Sequence, residues 1–381
     1  MTFDYQPSET ITDAIDWSTQ KSRAFSDAEI ELAISKFPKT RYYGSKRRLL
    51  GWIYHAVKDL PFNTVLDGFG GTASVSLLFK AMGKQVYYHD ALLSNTISAQ
   101  ALLADEFPFS DINDAYQFIE SIKPENGFIA KTFANMYYTD EENQWLDGAA
   151  KAIHAVDNPL QRSAYFYCLF QACLKKRPFN LFHRANLNLR LNKDVKRSFG
   201  NFSTWERSFV DLMKQHLFEL SKIIINRNNI TTVLPPSDVS ELTSKFDLIY
   251  IDPPYVPPSR TTDDYLKKYH FLEGLSDYDN WKKKLDHESI IKSHTSIKCI
   301  KEWNEKTRFK ERLSYLIDAH KNKIVVMSYL ENSYPSADEI TEYFKCNFSH
   351  TKVIKKDFCH ALAKENKTEL IFIGSNKWMN F

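Results

Sequence analysis

The sequence predicts an α/β fold, a sheet with crossover helices that carries a large, mainly helical insertion. Seven short apolar runs bounded by polar turns recur at 64–66, 85–88, 230–234, 246–251, 323–328, 351–354 and 368–373, with helical stretches between them. The second and third runs lie about 140 residues apart, too far for a single crossover, so the gap predicts an inserted domain. With 381 residues, 43% of them hydrophobic, the chain has material for one large core plus that insertion.

The first strand runs into Asp67-Gly68-Phe69-Gly70-Gly71-Thr72-Ala73-Ser74, a tight turn and a helix start. The glycines permit close backbone approach to a ligand. Their spacing is not that of a dinucleotide site, and Asp67 would repel a pyrophosphate. A cationic or amine-bearing ligand is favoured instead, and S-adenosylmethionine carries both a sulfonium and an α-amino group. At the end of the second strand, Asp90 stands where a carboxylate commonly accepts the two ribose hydroxyls of a nucleoside cofactor.

The long gap holds helical patterns at 164–174 and 205–225 and, between them, a basic segment. Lys175, Lys176, Arg177, Arg184, Arg190, Lys193, Lys196 and Arg197 face a single acid, Asp194. Phe179, Asn180, Phe182, His183, Asn186 and Asn188 are interleaved with them, side chains able to wedge, stack or read base edges. A net charge of +3 says little about nucleic acid, and a charge run also suits a solvated face. Placed inside the insertion, the segment predicts DNA contact through Lys175, Lys176, Arg177, His183, Arg184, Asn186 and Arg190.

The fourth strand stops at Asp252-Pro253-Pro254-Tyr255. A strand cap and a proline turn account for each residue singly, and one chemistry uses all of them. An exocyclic amine conjugated to a purine is a poor nucleophile, because its lone pair is delocalised into the ring. If Asp252 and the carbonyl of Pro253 accept its two hydrogens, the lone pair is freed toward an electrophile. The prolines hold that carbonyl rigidly. Tyr255 offers a face on which to stack a base removed from the duplex. A second excursion, 256–322, is polar and charged but carries Tyr265, Tyr269, Phe271, Tyr278 and Trp281 before the last three strands.

Taken together these residues resemble the Dam-like adenine-N6 DNA methyltransferases, with motifs in the alpha order, over residues 39–90 and 233–374. Arg41-Tyr42-Tyr43-Gly44-Ser45-Lys46 resembles the family's N-terminal motif, whose aromatic and lysine, here Tyr43 and Lys46, serve the cofactor pocket. The turn with Asp67, Phe69, Gly70 and Gly71 resembles its methionine-binding turn, and Asp90 its ribose-binding acid. Ser237-Asp238 resembles the position whose acid binds the cofactor's adenine amino group. Softer likenesses are Pro257, Ser259, the stretch Val326-Met327-Ser328-Tyr329 and the stretch 364–371.

The resemblance implies a Rossmann-like S-adenosylmethionine-dependent methyltransferase sheet with an inserted target-recognition domain. Residues 1–38 are expected as an N-terminal extension, 39–110 and 225–381 as the catalytic domain, and 111–224 as the insertion. The implied reaction is methylation of adenine N6 in double-stranded DNA with base flipping, in a restriction-modification or epigenetic setting. Cytosine-N4 methylation, whose motif usually starts with Ser, is the nearest rival; protein or RNA methylation and a catalytically lapsed DNA-binding module are others.

Five cysteines without a CxxC pair suggest neither a disulfide framework nor a zinc site, and no metal is expected. The first twenty residues hold Asp4, Glu9, Asp13 and Asp16 and no apolar run, so neither a signal peptide nor a membrane span is expected. A cytoplasmic bacterial enzyme, nucleoid-associated when bound to DNA, monomeric or weakly dimeric, with or without a cognate endonuclease, fits these readings.

Overall fold

The computed structural model describes residues 25–192, 202–223, 231–242, 246–257, 264–359 and 366–377. Its strands are β1 (Thr64–Asp67), β2 (Gln85–Tyr88), β3 (Thr231–Val233), β4 (Leu248–Ile251), β5 (Ile324–Leu330), β6 (His350–Cys359) and β7 (Asn366–Ser375). Among the described residues they form one sheet in the order β3-β2-β1-β4-β5-β7-β6. β1 to β5 run parallel, whereas β7 is antiparallel to both β5 and β6.

Every residue of β4 is buried, as a parallel strand covered on both faces requires. Alternation splits the strands between two cores. Val65, Leu248, Tyr250 and Val326 join one cluster, and Leu66, Ile249, Ile251, Val325 and Met327 the other. Helices Ile112–Ser121, Asp140–His154, Pro159–Lys175 and Phe209–Ser221 carry their apolar faces into the first of these clusters.

Each expected strand has a counterpart, with shifted ends. β6 extends well past the run read at 351–354 because it is an edge strand, largely exposed and lysine-rich, and carries no continuous apolar signal. The helix expected over 164–174 starts earlier, where Asn158 accepts the N–H groups of Leu160 and Gln161 and Pro159 occupies the first turn. The stretch 205–225 contains two helices, Phe202–Glu206 and Phe209–Ser221, because Ser208 caps the second by accepting the Asp211 N–H. Lys193, Asp194, Lys196, Arg197, Ile230, Ser259, Lys364, Glu365 and the first 24 residues lie outside the described residues. Among those described, no helix is long and apolar enough to cross a membrane.

β1 sits between β2 and β4, so the chain departs from it in both directions and a crevice opens at the carboxyl ends of the strands. Asp67 ends β1, Asp90 follows β2 by two residues, and Asp252 follows β4 directly. Three acids therefore meet at one edge of the sheet.

Candidate active site

The turn after β1 is built to approach its neighbours closely. The Gly68 N–H donates to the Tyr250 carbonyl (3.0 Å) and the Gly70 N–H to the His89 carbonyl (2.8 Å). A Cβ on Gly70 would fall 2.1 Å from the Tyr88 ring, so no other residue fits there. The helix Ser74–Ala81 then begins, and Ser76 Oγ donates to Asp67 Oδ2 at 2.7 Å. Asp67 is buried, and burial pushes its carboxyl up to about 7 against the Ser76 bond. Asp90 ties the turn to the next loop, accepting the N–H groups of Gly71 (2.9 Å) and Leu92 (2.8 Å). Burial raises this acid too, opposed by those backbone bonds.

An open cavity lies over the turn. Tyr43, Lys46, Asp67, Phe69, Gly70, Gly71 and Asp90, all expected at a cofactor pocket, line it together with Asp252, Pro253, Pro254 and Tyr255. Tyr42, Tyr265 and Trp303 also line it, without having been assigned to the cofactor pocket from sequence. Tyr42 stacks on Tyr269 with centroids 4.3 Å apart, Tyr265 extends that stack, and Trp303 stands edge-on to Phe69 at 5.0 Å. Trp303 comes from helix Lys298–Asn304 in the charged second excursion, where no motif marked it.

Asp238 is placed differently from its expected role. It does not line the cavity but caps the turn Val239–Glu241, accepting from Ser240 N (3.1 Å) and Ser240 Oγ (2.7 Å), and it pairs with Arg312. The Arg312 guanidinium also holds Glu302, so both acids beside it are already engaged by a cation.

The densest electrostatics surround Lys46. Ser45 opens the short turn Lys46–Leu49 and points the buried Lys46 Nζ at Asp252 Oδ1 (2.9 Å), the Tyr255 hydroxyl (2.7 Å) and Glu369 Oε1 (3.5 Å). The Tyr255 hydroxyl in turn lies 3.1 Å from Asp252 Oδ1 and 3.0 Å from Glu369 Oε2. Burial alone would lower the Lys46 ammonium, yet the two carboxylates outweigh it and hold it above its usual range. Burial pushes Asp252 up to about 6, with Lys46 pulling it down and Glu369 adding to the rise. Glu369 lies on β7, within the 364–371 stretch, and was assigned no role from sequence. A lone acid in an apolar strand was the available signal.

The basic segment is rearranged by its surroundings. Lys176, Arg177 and Arg190, expected to meet phosphates, are turned inward. Lys176 Nζ donates to the Trp205 carbonyl (2.9 Å) and pairs with Glu142 (2.8 Å), and Arg190 donates to the same carboxylate at 2.6 Å. Arg177 donates to the carbonyls of Leu181 (3.2 Å), Tyr137 (3.3 Å), Ala185 (2.6 Å) and Arg184 (2.5 Å). The loop after helix Pro159–Lys175 presents buried carbonyls that need donors, and these cations supply them. Phe182 is fully buried as well. Arg184 is exposed, and Lys175, His183 and Asn186 are half-buried.

Two comparisons bear on this arrangement. The model of a family described as D12 class N6 adenine-specific DNA methyltransferase matches residues 42–327. The chain is also similar to the Type II methyltransferase M2.HphI of Haemophilus parahaemolyticus, 26% identical over 355 residues that span 90% of this chain and 99% of that protein.

Proposed function

The chain belongs to the D12 class of N6 adenine-specific DNA methyltransferases, and from that premise we propose how its cavity performs the transfer. The cluster of Lys46, Asp252 and Tyr255 at the end of β4, beside the buried Asp67 and the half-buried Asp90, carries the reading. S-adenosylmethionine, when bound, supplies a methyl group on a sulfonium. The residues present suit such a ligand: Asp67 and Asp90 offer negative charge to its cationic and hydroxyl groups, and the glycine turn leaves room beside them. Tyr43, Phe69 and Trp303 provide aromatic walls.

In this reading Asp252 and the Pro253 carbonyl accept the two hydrogens of the adenine amine, which frees its lone pair. Lys46 keeps Asp252 ionised and fixed. Tyr255 stacks the adenine swung out of duplex DNA. Arg184, Lys175, His183 and Asn186 face the DNA, and residues 111–224 carry recognition of the site. The Type II relative supports a site-specific enzyme of a restriction-modification system, acting in the bacterial cytoplasm as a monomer or weak dimer, with or without a cognate endonuclease.

One expected result tests the cofactor contact. In the free protein Asp67 is half protonated near its value of about 7, and an α-ammonium prefers the carboxylate. Ligand binding therefore releases a proton below that pH. S-adenosylmethionine affinity, measured by calorimetry, is expected to weaken roughly tenfold per unit as the pH drops below about 7. A flat profile would show that Asp67 does not meet the amino group.

A second result tests base extrusion. Tyr255→Ala is expected to lose most activity on matched duplex and to regain part of it when the target adenine is mispaired, because unpairing then costs less. Tyr255→Phe keeps the ring but loses the hydroxyl bonds to Lys46 and Asp252, and is expected to lose about tenfold, with no rescue by a mismatch. Equal rescue of both variants, or of neither, would remove Tyr255 from the stacking role.

A further inference from the structure

Glu369 is an acid in surplus. It is buried on β7 next to Leu370, Ile371, Phe372 and Ile373, a setting in which a charge is costly unless paired. Its partners are shared ones. Oε1 lies 3.5 Å from Lys46 Nζ, and Oε2 accepts from the Tyr255 hydroxyl (3.0 Å) and from Ser328 Oγ (3.3 Å). Lys46 already has a closer counter-ion in Asp252 at 2.9 Å, so neutralising the lysine does not by itself require a second carboxylate. Two acids thus divide one buried ammonium.

We propose that Glu369 is a positioning residue for methyl transfer, holding the Tyr255 hydroxyl and drawing the Lys46 ammonium partly off Asp252 so that Asp252 remains a strong acceptor for the target amine. The inference rests on the functional reading above. A carboxylate fully paired with a lysine is a poor hydrogen-bond acceptor for anything else, since its lone pairs are committed and its basicity is low. Asp252 instead shares Oδ1 with Lys46 and with the Tyr255 hydroxyl, and both of these donors are also claimed by Glu369. The negative charge of Glu369 acts in the same sense, adding to the rise of Asp252 toward about 6. Among the described residues the ionisable groups bearing on Asp252 are Lys46 from the N-terminal motif, Tyr255 from its own loop, Glu369 from β7, Tyr250 from β4 and Asp67 from β1.

The test is a pH profile of single-turnover methylation of duplex DNA, with cofactor affinity and thermal unfolding measured alongside. Glu369→Gln keeps the shape and the Ser328 contact but removes the charge, so Lys46 falls wholly to Asp252. Its rate at alkaline pH is expected to drop about tenfold, while its acid limb moves about one pH unit lower, so that the deficit shrinks toward acid pH. Cofactor affinity stays parental. Glu369→Asp retains the charge and is expected to keep the acid limb where the parent has it, with a smaller loss of rate. A role in stability alone would scale the rate equally at every pH. That outcome, or a parental rate in Glu369→Gln, overturns the proposal while leaving the functional reading intact. A parent protein that methylates no DNA overturns both.

Discussion

Asp252→Ala is expected to remove methyl transfer while leaving S-adenosylmethionine affinity within a few-fold of the parent. The carboxylate lines the cavity at the end of β4, and its proposed work is on the amine, felt as the transfer begins. Interactions realised only in the transition state appear in kcat and not in ligand affinity. A positioned acceptor of this kind is worth about 10² to 10⁴ in rate. Lys46 retains Glu369 as a counter-ion, so the substitution leaves no unpaired buried cation and the fold should survive. Single-turnover rates on duplex DNA check this, and activity within tenfold of the parent would take the assigned role from Asp252.

Lys46→Met is expected to cost nearly as much at neutral pH, with the opposite pH signature from the Glu369 variant. It leaves the half-buried Asp252 and the buried Glu369 without the ammonium they share. The charge of Glu369 already adds to the rise of Asp252, and with the ammonium gone nothing offsets it, so a proton is taken up more readily. Asp252, already pushed up to about 6, is the group that the loss of Lys46 raises further. Protonated, it donates where it must accept, and the rate at pH 7 should fall about a hundredfold. The sign follows directly: the ionised form is needed, its pKa rises, and the acid limb moves to higher pH, so alkaline buffer recovers part of the loss. Breaking a buried pair also destabilises by about 3 to 5 kcal/mol, visible in denaturant melts. A variant with the parental acid limb would show that Lys46 serves the cofactor alone.

How much of this was legible in the sequence depended on what each residue's neighbours could change. β1, β4 and β5 were readable because strands buried on both faces must be apolar along their length, whatever packs against them. The acids at their ends followed from strand ends, and Asp67, Asp90 and Asp252 do meet at one cavity. Lys176, Arg177 and Arg190 were misjudged because a charge run carries no orientation. The loop carbonyls and Glu142 that draw them inward are supplied by other segments. Asp238 was likewise judged without Arg312, which lies 74 residues further on. Glu369 was passed over for the same reason, since its meaning lies in Lys46 and Tyr255, which are brought to it by the antiparallel return of β7 beside β5. Patterning shows what a strand is made of; the sharing of one ammonium by two acids needs the fold.

Methylation of adenine N6 in DNA through Asp252 can be tested most directly inside cells. Genomic DNA from cells expressing the parent or Asp252→Ala, in a host lacking other adenine methylation, can be digested to nucleosides for mass spectrometry and mapped base by base. N6-methyladenine is expected at one recurring sequence with the parent and nowhere with the variant. N4-methylcytosine in place of N6-methyladenine, no modified base with the parent, or undiminished N6-methyladenine with the variant would contradict it.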